Sequence, residues 1–301
     1  MSRKRIEVPL VSECSACIME SLDTLIPMLT EDSDERYELY RLALKRLSEG
    51  FGQRTDPLTL SVTLYRELYE KADVEDPYKH LKDLSNEAAK KVIPDVIIHV
   101  EAFAGYERLR AALASSIAGN IIDFNTAGHE PDLEGLESVY RSVLEEGFHI
   151  DDSKAMWTAL NRKKGRLLIL GDNAGETLFD LPLIRLSKEL GWTVIYAIKE
   201  KAMVNDATIE DLKGTEIEEL AAMISTGAWA HGVPLKWVSK EFLNEVSKAD
   251  LVISKGQANI ESFPEIQREL SVETYYVTRA KCPHISRAIG AAKGYNVVLM
   301  G

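Results

Sequence analysis

The spacing of apolar positions changes period partway along the chain. In the first half, apolar residues recur at helical intervals. Cys17–Leu29 (CIMESLDTLIPML) carries them three and four residues apart, with Pro27 set to kink or end the run. Asp34–Leu47 (DERYELYRLALKRL) has a credible N-cap and an amphipathic repeat, and Thr59–Tyr69 is similar. Leu81–Val92, Val96–Ser116 and Leu133–Glu145 continue the helical series. The second of these sets Phe103, Tyr106, Leu109, Leu113 and Ile117 on one broad face. Beyond residue 165 the pattern becomes short, continuous, β-branched runs: Arg166–Leu170, Thr193–Ile198, Asp250–Ser254, Thr274–Val277 and Asn296–Met300. Such runs suit strands buried on both faces. Helix-length segments lie between them: Thr177–Leu190, Thr208–Leu212, Ile217–Ile224, Lys240–Lys248 and Ile285–Lys293. This alternation predicts an α/β fold with a Rossmann-like, doubly wound, mostly parallel sheet, preceded by an all-α domain. The expected border sets a helical domain at 1–160 and the α/β domain at 161–301.

Composition narrows the class. The 301 residues are 45% hydrophobic and 28% charged, which suits a chain with a sizeable core. Asp and Glu (48) exceed Lys and Arg (36), for a net charge of −12. That excess repels nucleic acid and anionic membrane surfaces, so neither is an expected partner. Three cysteines cannot all pair within the chain, and Met1–Leu10 is basic without an apolar signal core, so a cytoplasmic location is expected.

In a doubly wound sheet, ligands bind at the carboxyl ends of the strands. After the first long run comes Gly171-Asp172-Asn173-Ala174-Gly175-Glu176. A dinucleotide turn needs glycine where Asn173 stands. Adjacent Asp172 and Asn173 instead offer hard oxygens of the kind Mg²⁺ or Mn²⁺ prefers, with Glu176 near enough to orient a water or hydroxyl. The plainer alternative is a helix cap and a turn. After the second run, Asp206 could complete the metal site or cap a helix near Thr208. After the third, Ser254, Asn259 and free backbone N–H groups around Gly256 could cradle an anion. After the fourth, Lys281 is a candidate point charge for phosphate. A hard metal with an anion-binding lysine suits phosphoryl chemistry.

The ordered segments LGDNAGE (170–176), VNDAT (204–208), DLVISKGQANIE (250–261), AKC (280–282) and AGNIIDF (118–124) resemble the DUF89, or damage-control phosphatase, family across nearly the whole chain. The N-terminal CxxC, Cys14 and Cys17, resembles one subfamily. The resemblance implies a metal-dependent phosphatase acting on a small phosphorylated metabolite, with Mg²⁺, Mn²⁺, Co²⁺ or Ni²⁺ as the expected cofactor. It implies Asp172, Asn173 and Asp206 as metal ligands, Glu176 as the acid after the DN pair, and Lys281 on the phosphate. It sets Asn120 and Asp123 on the cleft from the helical side. The nucleophile would be a metal-activated water or the Asp172 carboxylate. The family's sugar-phosphate branch carries Arg-Thr-x-Lys, whereas this chain has Thr278-Arg279-Ala280-Lys281, which counts against a hexose phosphate.

Cys14 and Cys17 share a helix face and, with Cys282, form a candidate thiol site. Half of a soft-metal site, a redox pair and inert thiols all remain open for them. No nucleophile elbow of the G-x-S-x-G type is present. Two rival functions stand beside the phosphatase: an S-adenosylmethionine-dependent methyltransferase, which wants an acid after the second strand, and a non-catalytic metabolite-binding protein.

Overall fold

The computed structural model describes residues 6–52, 55–121, 133–162 and 164–301. Six helices come first: α1 (Cys14–Leu29), α2 (Ser33–Gly50), α3 (Pro57–Ala72), α4 (Lys79–Glu101), α5 (Gly105–Ile121) and α6 (Leu133–Glu146). Local chemistry starts several of them. The Asp32 carboxylate accepts from the N–H groups of Asp34 and Glu35, and Asp56 accepts from Thr59 with Pro57 in the first turn of α3. Neither internal proline ends its helix. α1 runs through Pro27, and α4 runs through Pro94 to Glu101. Val92, Val96, Ile97 and Val100 keep one apolar face of α4 on the core, and that burial outweighs the hydrogen bond Pro94 removes. The expected segment Val96–Ser116 is therefore divided between α4 and α5, with the break just ahead of Gly105 at φ 57°.

The remaining elements are β1 (Ile150–Asp151), α7 (Ser153–Arg162), β2 (Arg166–Leu170), a 3-10 turn (Glu176–Asp180), α8 (Leu181–Glu189), β3 (Thr193–Ile198), α9 (Ile209–Leu212), α10 (Glu216–Leu220) and β4 (Ala222–Ser225). Then follow α11 (Lys240–Ser247), β5 (Leu251–Lys255), α12 (Gln257–Leu270), β6 (Thr274–Arg279), α13 (Pro283–Ile289) and β7 (Asn296–Met300). The seven strands form one sheet in the order β1-β7-β6-β5-β2-β3-β4, parallel except where β7 runs against β6. The helix expected over Ile217–Ile224 stops at Leu220, and the rest is β4, which pairs with β3 from Ile195 opposite Ala222. Edge pairing decides the state of so short a segment.

Alternate residues of the central strands serve opposite layers. Leu167 and Ile169 of β2 join the core beneath α4–α8, while Leu168 and Leu170 join the one beneath α11 and α12. A third cluster holds α1–α3 together against Met203, Ala228 and Ala230. β1 lies ahead of the expected border at 161, α7 crosses it, and α4–α6 share their core with the sheet. No helix among the described residues is long and apolar enough to cross a membrane. From β2 the chain builds outward through β3 and β4, then returns to lay β5 on the other side of β2. The crevice at the carboxyl ends of β2 and β5 is thus the topological switch point, where an α/β sheet opens a ligand site.

Candidate active site

Asp172 follows the last residue of β2 by two positions, and its carboxyl is buried. Gly256, after β5, packs directly against it: a Cβ built on Gly256 would fall 1.8 Å from Asp172 Oδ2. Gly256 also sits at φ 77° and ψ 174°, a region essentially closed to other residues. The Asp206 loop is tied to the Asp172 loop by backbone. Ala207 N–H donates to the Asp172 carbonyl at 2.8 Å, Ala174 N–H to the Asn205 carbonyl at 2.9 Å, and Asn173 bridges Asp206. Just ahead of Asp206, Val204 is held at φ 51° while its N–H donates to the buried Tyr69 hydroxyl at 3.1 Å. A β-branched residue in that conformation stores strain beside the site.

The side chains converge. Asn120 of α5 donates through Nδ2 to Asp172 Oδ2 (3.1 Å) and Glu176 Oε2 (2.9 Å). Asn173 Nδ2 donates to the same two oxygens at 3.2 and 2.9 Å. Lys255, the last residue of β5, is wholly buried and donates to Glu176 Oε1 (3.1 Å) and Asp180 Oδ1 (2.6 Å). Asp180 also takes hydrogen bonds from Ser116 and, at 2.7 Å, from the Tyr196 hydroxyl. Lys199, just past β3, donates to the Gly171 carbonyl at 3.3 Å and stands 3.4 Å from Asp206 Oδ2.

Four buried carboxyl groups (Asp172, Glu176, Asp180, Asp206) thus surround two buried ammonium groups. Burial holds Asp172 well above the usual carboxylate range; Glu176 and Asp206 add to this, and Lys199 and Lys255 oppose it. Burial raises Asp206 to about 6 against the pull of Lys199. Asp180 is raised by burial in spite of Lys255. Burial alone would lower Lys255, but Asp180 and Glu176 outweigh it and raise the ammonium.

Among the described residues, no three His, Cys, Asp or Glu side chains form a ready metal cluster. The fit to a divalent cation rests on other grounds. Carboxyl groups outnumber ammonium groups four to two, Asn120 Oδ1 is buried with no hydrogen-bond partner among the described residues, and Asp206 Oδ2 is held only by its 3.4 Å ion pair to Lys199. Carboxylate and amide oxygens are the donors a hard cation takes.

The other expected residues fall in different places. Ser254 is wholly buried within β5. Asn259 spends its amide N–H groups on the carbonyls of Gly171 (3.1 Å) and Lys255 (2.7 Å), bracing the two strand ends together. The Gly256 N–H is not free for an anion as expected, because the sheet ladder uses it: it donates to the Val277 carbonyl at 3.2 Å. Lys281 has an exposed side chain, and its N–H donates to Gln257 Oε1 at 3.0 Å. Asp123 lies outside the described residues. Cys14, Cys17 and Cys282 are free thiols on the wall of one cavity that also reaches Asp206. Burial pushes the Cys17 thiol up, with Cys282 and Cys14 adding to it. The acid a methyltransferase would want after β3, Glu200, is exposed and accepts from the Ser225 hydroxyl.

Lys199, Lys255 and Asp180 were not among the expected site residues. Their signal was present: two doubly buried runs lead into lysine, which a surface position would not require. Asn86 of α4 was also unexpected. Its Oδ1 accepts from Gly175 N–H at 2.7 Å, and its Nδ2 donates to the Asp211 carbonyl at 3.0 Å, clamping the loop after β2.

Comparison with known proteins bears on this arrangement. The profile of the damage-control phosphatase ARMT1-like domain matches residues 10–297. The chain is 36% identical over 283 residues to damage-control phosphatase PH1575 of Pyrococcus horikoshii, covering 94% of each. It is 28% identical over 282 residues to a damage-control phosphatase of Archaeoglobus fulgidus, covering 93% of this chain and 95% of that one. A crystal structure of a DUF89 family protein from Pyrococcus horikoshii matches with a TM-score of 0.86 at 33% identity, over 98% of this chain and 99% of that one.

Proposed function

Because the chain belongs to the damage-control phosphatase family, we propose that it hydrolyses a small phosphorylated metabolite in a divalent-metal-dependent reaction centred on Asp172. The observation that carries this reading is the acid-rich cluster at the switch point, with the Asn120 amide oxygen left without a hydrogen-bond partner among the described residues. Asp172, Asn173 and Asp206 would hold Mg²⁺, Mn²⁺, Co²⁺ or Ni²⁺. When bound, the cation supplies positive charge to phosphoryl oxygens and makes water a stronger acid.

The chain's own groups do the positioning. Lys255 fixes Glu176 from one side and Asn120 from the other, so Glu176 meets an incoming hydroxyl in one orientation. Lys199 keeps Asp206 close to the charged form it needs as a ligand. Asn259 and Gly256 hold the β2 and β5 ends in register, and Ser254 packs beneath them. The exposed Lys281 would take outer phosphate oxygens, and Asn120 holds Asp172 and Glu176 from the helical side. A lysine point charge and preset donors suit phosphoryl transfer, where catalysis is mostly placement and charge stabilisation.

Phosphate release from p-nitrophenyl phosphate tests the reading. The expected result is turnover only with added Mg²⁺, Mn²⁺, Co²⁺ or Ni²⁺, abolished by EDTA and restored by excess metal. Turnover indifferent to EDTA, or S-adenosylmethionine binding without metal in place of turnover, would overturn it.

A further inference from the structure

Gln257 opens α12 directly after Gly256, the residue packed against the Asp172 carboxyl. Two backbone donors orient its side-chain amide. Oε1 accepts from the Lys281 N–H at 3.0 Å and from the Cys282 N–H at 2.8 Å. Both partners can only donate, so the carbonyl end of the amide faces the turn after β6 and the NH₂ end is directed away from it. Among the described residues Nε2 has no hydrogen-bond partner. Gln257, Asp206 and Cys282 line one cavity. The amide therefore lies between the acid cluster and the turn that carries Lys281, the two places where the phosphatase reading sets the phosphoryl group.

The type of donor suits the place. A further ammonium here would pair with Asp206, as Lys199 does at 3.4 Å, and offset the acid that a cation needs. A carboxylate would repel phosphate. An amide N–H donates to a phosphoryl oxygen and brings no charge to compete for Asp206. Because its acceptor end is already held, the donor is preset, and little rotamer freedom is lost when an anion arrives. The expected anion cradle around Gly256 is thus replaced by a side chain. The Gly256 N–H is used by the Val277 carbonyl and the Asn259 amide by the carbonyls of Gly171 and Lys255, whereas Gln257 keeps amide N–H groups to give.

We propose that Gln257 is a phosphate-binding residue: its carbonyl oxygen fixes the Lys281 turn, and its Nε2 donates to a phosphoryl oxygen lying between Asp206 and Lys281. The inference rests on the phosphatase reading and adds a substrate contact to it.

Inorganic phosphate, as a competitive inhibitor of p-nitrophenyl phosphate turnover with Mn²⁺ saturating, is the probe. In Gln257→Glu the carboxylate still accepts from Lys281 and Cys282, so the melting temperature stays near that of wild type. Its Ki for phosphate and KM for the ester are expected to rise about tenfold or more, with the donor replaced by a negative charge. Gln257→Met removes the donor without adding a charge and should raise both constants about threefold or more. The same factor is expected in a Lys281→Met background, where a residue acting only through the Lys281 turn would have nothing left to lose. Mn²⁺ affinity, read by calorimetry without ester, stays at the wild-type value in Gln257→Met, and melting curves verify folding. A folded Gln257 variant with a wild-type Ki overturns the inference. So does a loss that vanishes in the Lys281→Met background, or one matched by an equal loss of Mn²⁺ affinity. If wild type hydrolyses p-nitrophenyl phosphate under metal control while the Gln257 variants keep its Ki, this inference alone fails. If wild type shows no metal-dependent hydrolysis, the phosphatase reading fails with it.

Discussion

Gly256 and Asp172 compete for one space, and the site exists because glycine yields it. In Gly256→Ala, the methyl group meets the Asp172 carboxylate and the backbone takes on about 1–3 kcal/mol of strain. The variant is expected to lose activity roughly 10²-fold or more and to melt at lower temperature, read from p-nitrophenyl phosphate turnover and a melting curve. Glu261 gives a pH signature with a definite sign. Its folded carboxyl keeps its proton to about pH 8, whereas an ordinary Glu titrates near 4.5, so the folded state binds more protons between those values. Stability therefore falls as pH rises through that window. Glu261→Gln removes the penalty, so its melting temperature should gain on wild type from about pH 5 to pH 8 and level off above; a constant offset across that range would contradict the assignment. At this scale the sequence was informative where a residue's neighbours in the chain are also its neighbours in space, as with Asp172, Asn173 and Glu176. Lys255 and Lys199 escaped because their partners lie on other elements, Asp180 and Asp206.

Between elements, Asn86 links α4 to the loop after β2 and to the end of α9, satisfying two backbone groups at once. Asn86→Ala leaves Gly175 N–H and the Asp211 carbonyl without that partner, at a cost of about 1–3 kcal/mol for each buried group left unpaired. The expected outcome is a lower melting temperature together with weaker metal-dependent activity, since the same loop carries Asp172 and Asn173. Five of the strands were legible because a doubly buried strand reads as a continuous apolar run. β1 and β4 were not, being short and defined by pairing with β7 and β3 rather than by their own pattern. The separation expected between Leu81–Val92 and Val96–Ser116 is absent for a related reason: α4 runs through Pro94, whose local cost is visible in the sequence, whereas the tertiary face that overrides it is not.

Across the whole molecule, the helices before β1 do not form one body apart from the sheet. α4–α6 pack on its face within the same core as Leu167, Ile169 and Tyr196, whereas α1–α3 form their own cluster against the loops near Met203 and Ala228. A fragment of 161–301 would expose that sheet face, so we expect it to be insoluble or unfolded when expressed alone; a soluble fragment with a cooperative melt would contradict this. The net charge of −12 is compatible with a phosphorylated substrate, because part of the acid excess is concentrated in the site that would hold the cation. The most direct test of that claim is phosphate release by wild type and Asp172→Asn side by side, with Mn²⁺ saturating. A loss of roughly 10²-fold or more in a variant that melts no lower than wild type without metal is the predicted result; full activity in Asp172→Asn would contradict the account.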